Sequence, residues 1–375
     1  MTQILCKSKF STIILLFFVI ASVYLFNGYL SKNRQVLAFD DGNTSITYTI
    51  VTENGEYLME KSGVEQGDSF VTSDKKMYEI FAINVEDRIA YARYLVTITL
   101  PEISISSAPT QVDQKTKNIG LYMTHNDESY LTGDGYDSVY GKGGIHDIAK
   151  LLQSSLNQLG INVYLYENLH IPHDTMAYSR SRVTAKQALA DHELNALFDI
   201  HRDGASRSTY VTTDQGVEKC QVRIVVGKAN PNYAIQTEFA TYLLTVAEEL
   251  YPWLFLDIYF AEGHYNQDLF SKSLLFEMGS HLVEKSLVQK TVPALANLIN
   301  TALFYTAVEE ETGDLVVGGN LTDGNTIDEV LSTYDTNTIE ETATIGLIIV
   351  GGLLVVTVVV GSIVASKVGK KKYLS

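Results

Sequence analysis

Three short segments carry the side chains that could do chemistry. Thr124-His125-Asn126-Asp127-Glu128 follows an apolar run that begins at Ile119, Asp199-Ile200-His201-Arg202-Asp203 ends a second run, and Phe276-Glu277-Met278-Gly279 ends a third. Two imidazoles and several carboxylates delivered by the ends of separate strands form the N/O donor set of a catalytic zinc, with three protein ligands and one position open to water. Taken singly, a histidine is as much at home on a surface or in a hydrogen bond as on a metal. The shared placement is what points to a site, because ligands of α/β sheets gather at the carboxyl ends of strands. A serine esterase is the weaker alternative, since Ser129 and Ser280 lack a Gly-x-Ser-x-Gly context.

The elements that must position these residues alternate. IGLYMT (119–124), INVYLYE (161–167), ALFDIH (196–201), QVRIVVG (221–227) and SLLFEMG (273–279) read as buried strands. Between and after them, HDIAKLLQSSLNQLG, SRSRVTAKQALADHEL, AIQTEFATYLLTVAEELYP and VEKSLVQKTVPALANLINTALF carry helical periodicity. Strand–helix alternation predicts an α/β fold over residues 117–306: a central, mostly parallel sheet with helices on both faces. Residues 40–102 differ. SITYTIVT, YLMEK, SFVT, MYEIFAINV and ARYLVTITL alternate with period 2 between turn signals such as Glu53-Asn54-Gly55, which predicts a small antiparallel β module. The module holds no cluster of chemistry-bearing residues, so it is expected to be a spacer or a protein-contact unit.

Charge and hydropathy place the chain in the cell. Of 28 Lys and Arg, four lie in residues 1–34 and four in 345–375, and neither end holds an acid; the middle keeps 20 against 44 acids, a net −24. Nucleic-acid binding is disfavoured, because it needs cations that neutralise phosphates. The uncharged runs at 10–31 and 345–365 are each long enough to cross a ~30 Å hydrocarbon layer as a helix. A cleaved signal peptide is the alternative for the first, but its apolar run is too long for one. Lys367, Lys370, Lys371 and Lys372 put the C-terminus on the cytoplasmic side. Both termini are then cytoplasmic and the acidic body extracytoplasmic, which keeps Cys6 and Cys220 apart. A body of this size with no internal disulfide points to a bacterial membrane rather than a eukaryotic ectodomain. The segment 307–343 holds ten acids between Glu309 and Glu341 and no Lys or Arg, and reads as a disordered linker to the second span.

Six motifs in order carry a resemblance: THNDESY (124–130), NLHIPHD (168–174) with YSRSR (178–182), DIHRD (199–203), VVGKANPN (225–232), HYNQDL (264–269) and LLFEMGSH (274–281). Over Asn118 to about Phe304 the chain resembles the stage II sporulation protein P family. These are cell-wall hydrolases of endospore engulfment, related in fold to zinc-dependent N-acetylmuramoyl-L-alanine amidases. The resemblance implies peptidoglycan as substrate, zinc as cofactor, possible endopeptidase activity, and other cell-wall remodelling proteins as partners. It implies His125 and His201 as ligands and Glu277 as general acid/base. In those amidases the third ligand is a Glu opening the first helix, where this chain reads GKGGIHD; Glu128 is the first choice in its place, with His146 and Asp147 as alternatives. His-Thr-His, frequent in the family, reads Met123-Thr124-His125 here, and a thioether does not replace an imidazole on zinc. Strand alternation leaves His125 at the rim and Met123 in the packing. Arg180, Arg182 and Arg202 are candidates for stem-peptide carboxylates, which guanidinium binds bidentately, or for ion pairs with Asp174, Asp199 or Asp203. Asn266 is a candidate cleft residue or a turn cap, as are Gln267 and Asp268. The competing reading is a catalytically silent, peptidoglycan-binding scaffold of the same family.

Overall fold

The structure is a computed structural model that describes residues 46–101, 103–105, 116–305, 307–309 and 315–316. Both apolar runs expected to span the membrane, and all but five residues of the acidic segment, lie outside the described residues. Among the described residues no helix is long and apolar enough to cross a membrane.

Eleven strands form one sheet. The first five are β1 (Thr47–Thr52), β2 (Tyr57–Ser62), β3 (Ser69–Thr72), β4 (Lys76–Asn84) and β5 (Ile89–Thr97). They are followed by β6 (Asn118–Tyr122), β7 (Asn162–Tyr166), β8 (Ala196–Asp203), β9 (Val222–Gly227), β10 (Phe255–Ala261) and β11 (Ser273–Ser280). Their order is β2-β1-β5-β4-β3-β10-β9-β11-β8-β6-β7. In the half that holds the chemistry every neighbouring pair is parallel except β9 with β11. Because β6, β8 and β11 run the same way, their carboxyl ends lie on one rim. The first five strands pair mainly antiparallel, with β1 parallel to β5.

The β module continues this sheet. Its β3 pairs antiparallel with β10, matching Phe70 to Tyr259 and Thr72 to Asp257. The sequence offers no expectation of β10, and therefore none of this junction. FLDIYFA breaks its own apolar pattern with Asp257, whose partner, Arg223 on β9, is visible only once the strands are side by side.

Sequence patterning accounts for the layers. All five residues of β6 and all eight of β8 are buried, as a strand covered on both faces requires. On one face lie α1 (Ile145–Gln158), α3 (Tyr233–Leu250) and α4 (Lys285–Phe304). In α1 the buried Ile145, Ile148, Ala149, Leu152 and Leu156 form the apolar stripe of period 3.6, and Phe239 of α3 stacks on Phe198 of β8 at 6.4 Å. On the opposite face α2 (Ala177–Asp191) packs its Ala185 and Ala188 against Tyr122 and Leu197. Beyond α2 the same face is covered by the module, through Tyr48, Ile50, Met59 and Val64 against Val225, Tyr259 and Leu275. Ile103–Ile105, Ala307–Glu309 and Leu315–Val316 form a separate short antiparallel sheet.

Candidate metal centre

His125 leaves β6 at the rim and His201 sits near the end of β8, two strands that pair directly. Between them rises Glu128. Its Oε1 lies 3.0 Å from His125 Nδ1 and 3.3 Å from His201 Nδ1, and its Oε2 accepts the Arg202 backbone N–H at 2.9 Å. The three residues offer donor atoms within 4.8 Å of one another, all buried, and form a group that could hold a metal ion. Burial works against ionising Glu128, but the charge of His201 and the hydrogen bond from His125 outweigh it and hold the carboxyl well below its usual range. Burial likewise opposes a charge on His201, and Asp199 and Glu128 on either side of the ring raise its pKa well above the ordinary imidazole value. Two carboxylates, Glu128 and Asp199, thus flank the His201 ring.

Glu128 is aimed by the start of α1. Ile145 N–H donates to Glu128 O at 3.0 Å, Gly143 N–H to Asn126 O at 2.7 Å, and Gly144 N–H to Ser129 Oγ at 2.9 Å. A Cβ at Gly143 would fall 2.0 Å from Glu128 O, so only glycine lets this backbone approach the loop that carries the carboxylate. The alternatives on α1 point elsewhere: His146 Nδ1 faces Glu167 at 3.3 Å, and Asp147 accepts from Lys285 Nζ at 2.6 Å. Met123 is buried, and its carbonyl accepts from His170 Nδ1 at 2.8 Å.

Glu277 stands directly beside His201 in the parallel register of β8 and β11, so the two side chains share a face, and it is 1% exposed. The arginines are spread out. Arg180 pairs with Asp174 at 2.5 Å and donates to His170 O at 2.7 Å, fastening the 168–174 loop. Arg182 grips Asp268 bidentately at 2.6 and 2.7 Å and reaches Asn266 Oδ1 at 3.4 Å. Arg202 is buried, with its guanidinium on Ser129 O at 3.2 Å and Asp137 O at 3.0 Å. Asn266 donates to Tyr178 O and Ser181 Oγ, both at 3.0 Å.

Two neighbours of the His125–Glu128–His201 group, His173 and Tyr178, escape sequence reasoning, and a third, Asp199, meets other groups than the arginines it was expected to pair with. His173 stacks on His125 with ring centroids 3.9 Å apart, and its Nδ1 lies 2.8 Å from Asp127 Oδ1. Tyr178 presents its ring edge-on to His125 at 5.4 Å and parallel to His201 at 6.2 Å. Asp199 takes the Thr124 backbone N–H at 2.8 Å and lies 3.0 Å from His201 Nε2. For His173 and Tyr178 the only signal was membership of the quoted motifs, which does not say which atoms meet.

Fold and site together define a mixed α/β protein with a buried His–Glu–His group at the rim of a mostly parallel half-sheet. The model of the family described as stage II sporulation protein P matches residues 43–300, and the chain belongs to that family. The stage II sporulation protein P of Bacillus subtilis (strain 168) is 29% identical in a 200-residue alignment that covers 46% of this chain and 47% of that one. The chain thus spans about half the length of the curated relative it matches. Among solved structures, the CwlD amidase of Clostridioides difficile, in complex with the GerS lipoprotein, is similar at 16% identity, with 49% of this chain and 94% of that one covered and a TM-score of 0.36. The catalytic domain of CwlV, an N-acetylmuramoyl-L-alanine amidase from Bacillus (Paenibacillus) polymyxa var. colistinus, is similar at 11% identity, with 49% and 97% covered and a TM-score of 0.32.

Proposed function

We propose that the chain is a zinc-dependent peptidoglycan hydrolase that cleaves the amide between N-acetylmuramic acid and the L-alanine of the stem peptide, with a role in sporulation. The observation that carries this reading is the convergence of His125, Glu128 and His201 with Glu277 beside them. Two imidazoles and one carboxylate fit zinc, whereas magnesium and calcium take oxygen donors. Zinc held there would supply a Lewis acid that polarises a carbonyl and lowers the pKa of water toward ~7. Glu277 removes the proton from the attacking water and returns it to the departing alanine amine, which requires a carboxylate within hydrogen-bond reach of both. Arg202 N–H and the start of α1 keep Glu128 in place while this happens. Arg182, which is partly exposed and held by Asp268 and Asn266, is the group this reading offers to a stem-peptide carboxylate.

Digestion of purified sacculi, followed by mass spectrometry of the fragments, tests the reaction. Free L-alanine amino ends on released stem peptides are expected, lost with a chelator and regained with zinc. Cuts inside the peptide would assign endopeptidase activity as well. A chain that binds no metal and releases nothing under metal-replete conditions would instead be a wall-binding scaffold.

The same proposal places both termini in the cytoplasm and residues 40–340 outside, on the strength of the lysines at 367–372. Protease added to intact protoplasts should shave the body and spare a C-terminal tag; loss of the tag contradicts two spans.

A further inference from the structure

Next to Glu277, on the side away from His201, the register of β9 and β11 places Arg223. Its side chain shares the face of Glu277 and is fully buried. Arg223 is held from three directions. Nε and Nη2 donate to Asp257 at 2.8 and 2.9 Å, Nη1 pairs with Asp203, and Nη2 also meets Met59 Sδ at 3.1 Å. The guanidinium lies over the Tyr210 and Tyr259 rings, with ring centroids 5.4 and 5.3 Å away. Lys61 completes the cluster. It is 4% exposed, its Nζ donates to Ser62 O at 2.8 Å, and it lies 5.2 Å from the centre of the same Tyr259 ring that the Arg223 guanidinium faces.

Met59 and Lys61 belong to β2 and lie far in sequence from the rim residues. The β1–β2 hairpin is fastened to the chain just past the end of β8: Thr47 Oγ1 donates to Gly204 O at 2.7 Å, and Ser206 N–H donates to Glu60 Oε2 at 2.9 Å. Gly204 is three residues past His201. A buried ion cluster is a poor way to gain stability, since apolar side chains of similar volume often hold a core as well. Its value lies in fixing geometry, and the geometry it fixes includes the immediate neighbour of Glu277.

We propose that the β1–β2 hairpin is part of the catalytic unit: through Met59, which touches the guanidinium, and Lys61, which packs on the Tyr259 ring that the guanidinium also faces, it holds Arg223 beside Glu277, so that Lys61 and Arg223 are positioning residues for that carboxylate. The inference rests on the reading of Glu277 as proton shuttle, and it gives the module a task beyond spacing.

The test compares full-length Lys61→Met and Lys61→Arg with wild type. Three quantities are read: bound zinc, kcat and KM on a soluble muramoyl-peptide fragment of the wall, and the Glu277 carboxyl resonance in 13C-glutamate-labelled protein, assigned by its loss in Glu277→Gln. Lys61→Met should keep its zinc and a KM within about twofold, lose about 10–100-fold in kcat as a misplaced catalytic group does, and move the Glu277 resonance. Lys61→Arg should restore both. A Lys61→Met protein that melts earlier but keeps its kcat and its Glu277 resonance overturns the proposal. If Lys61→Met does not fold, Met59→Ala touches the same guanidinium without stranding a charge, and it must move the resonance and kcat together or the proposal fails. The resonance needs no turnover. Should wild type cleave nothing, or Glu277→Gln match it, the shuttle reading falls, while the spectra still decide whether the hairpin sets the surroundings of Glu277.

Discussion

Replacing Glu277 with Gln should lower turnover by roughly 10²–10⁴, the usual contribution of general acid–base catalysis, and leave zinc content near one ion per chain. The substitution keeps volume and hydrogen-bonding shape at a position that is 1% exposed, so the core around Phe276 and Met278 has no reason to repack. What disappears is the basic oxygen next to His201. Because the group that could hold a metal comprises His125, Glu128 and His201 without Glu277, the amide should not release the ion. Metal analysis and turnover on the same preparation separate the outcomes. Expulsion of zinc would move Glu277 into the ligand set and take the third-ligand role from Glu128. Full turnover with full zinc would remove Glu277 from the chemistry and favour the scaffold reading.

The second large effect concerns the ligands. His125→Ala, His201→Ala and Glu128→Ala should each abolish zinc retention after dialysis, and hydrolysis with it. Glu128→Ala is the sharpest of the three. Its Oε1 is the point on which both Nδ1 atoms converge, and removing it takes that carboxylate from the Nδ1 atoms of two buried imidazoles and from the Arg202 N–H. Leaving such groups unsatisfied costs about 1–3 kcal/mol each, so a lower melting temperature should accompany metal loss. His146→Ala and Asp147→Ala should retain the ion, because their side chains serve Glu167 and Lys285. Retention by Glu128→Ala together with loss by either of these would transfer the ligand to α1. Zinc added back to wild-type apoprotein should raise its melting temperature with concentration, as any ligand of the native state does.

The β module illustrates how one unread strand changes a functional expectation. Without β10, residues 40–102 have no edge to join and look like a separate unit. With β10 in place, the module's third strand docks on the sheet, and its first hairpin lies against the end of β8. The reason β10 escapes is physical. A strand is recognised by its apolar pattern, and Asp257 breaks that pattern at a position where burial is made tolerable by Arg223, 34 residues earlier in the chain.

What the sequence determined by itself is the alternation of buried strands and amphipathic helices, and with it the rim. A strand covered on both faces must be apolar nearly throughout, so its polar end is visible as a break, and His125, His201 and Glu277 all stand at such breaks. It also narrowed the third ligand to Glu128, His146 or Asp147. Only the tertiary structure brings one of the three, Glu128, into a group with His125 and His201, because that depends on how closely α1 approaches the 126–129 loop, where Gly143, Gly144 and the Ser129 hydroxyl make contact. The same holds for the arginines. Arg180 finds Asp174 within its own segment, a pair that reading the sequence already weighed, but Arg182 finds Asp268 across 86 residues. Local pattern reports which faces must be buried; which side chains meet is decided by strand order and register, which pair residues far apart along the chain.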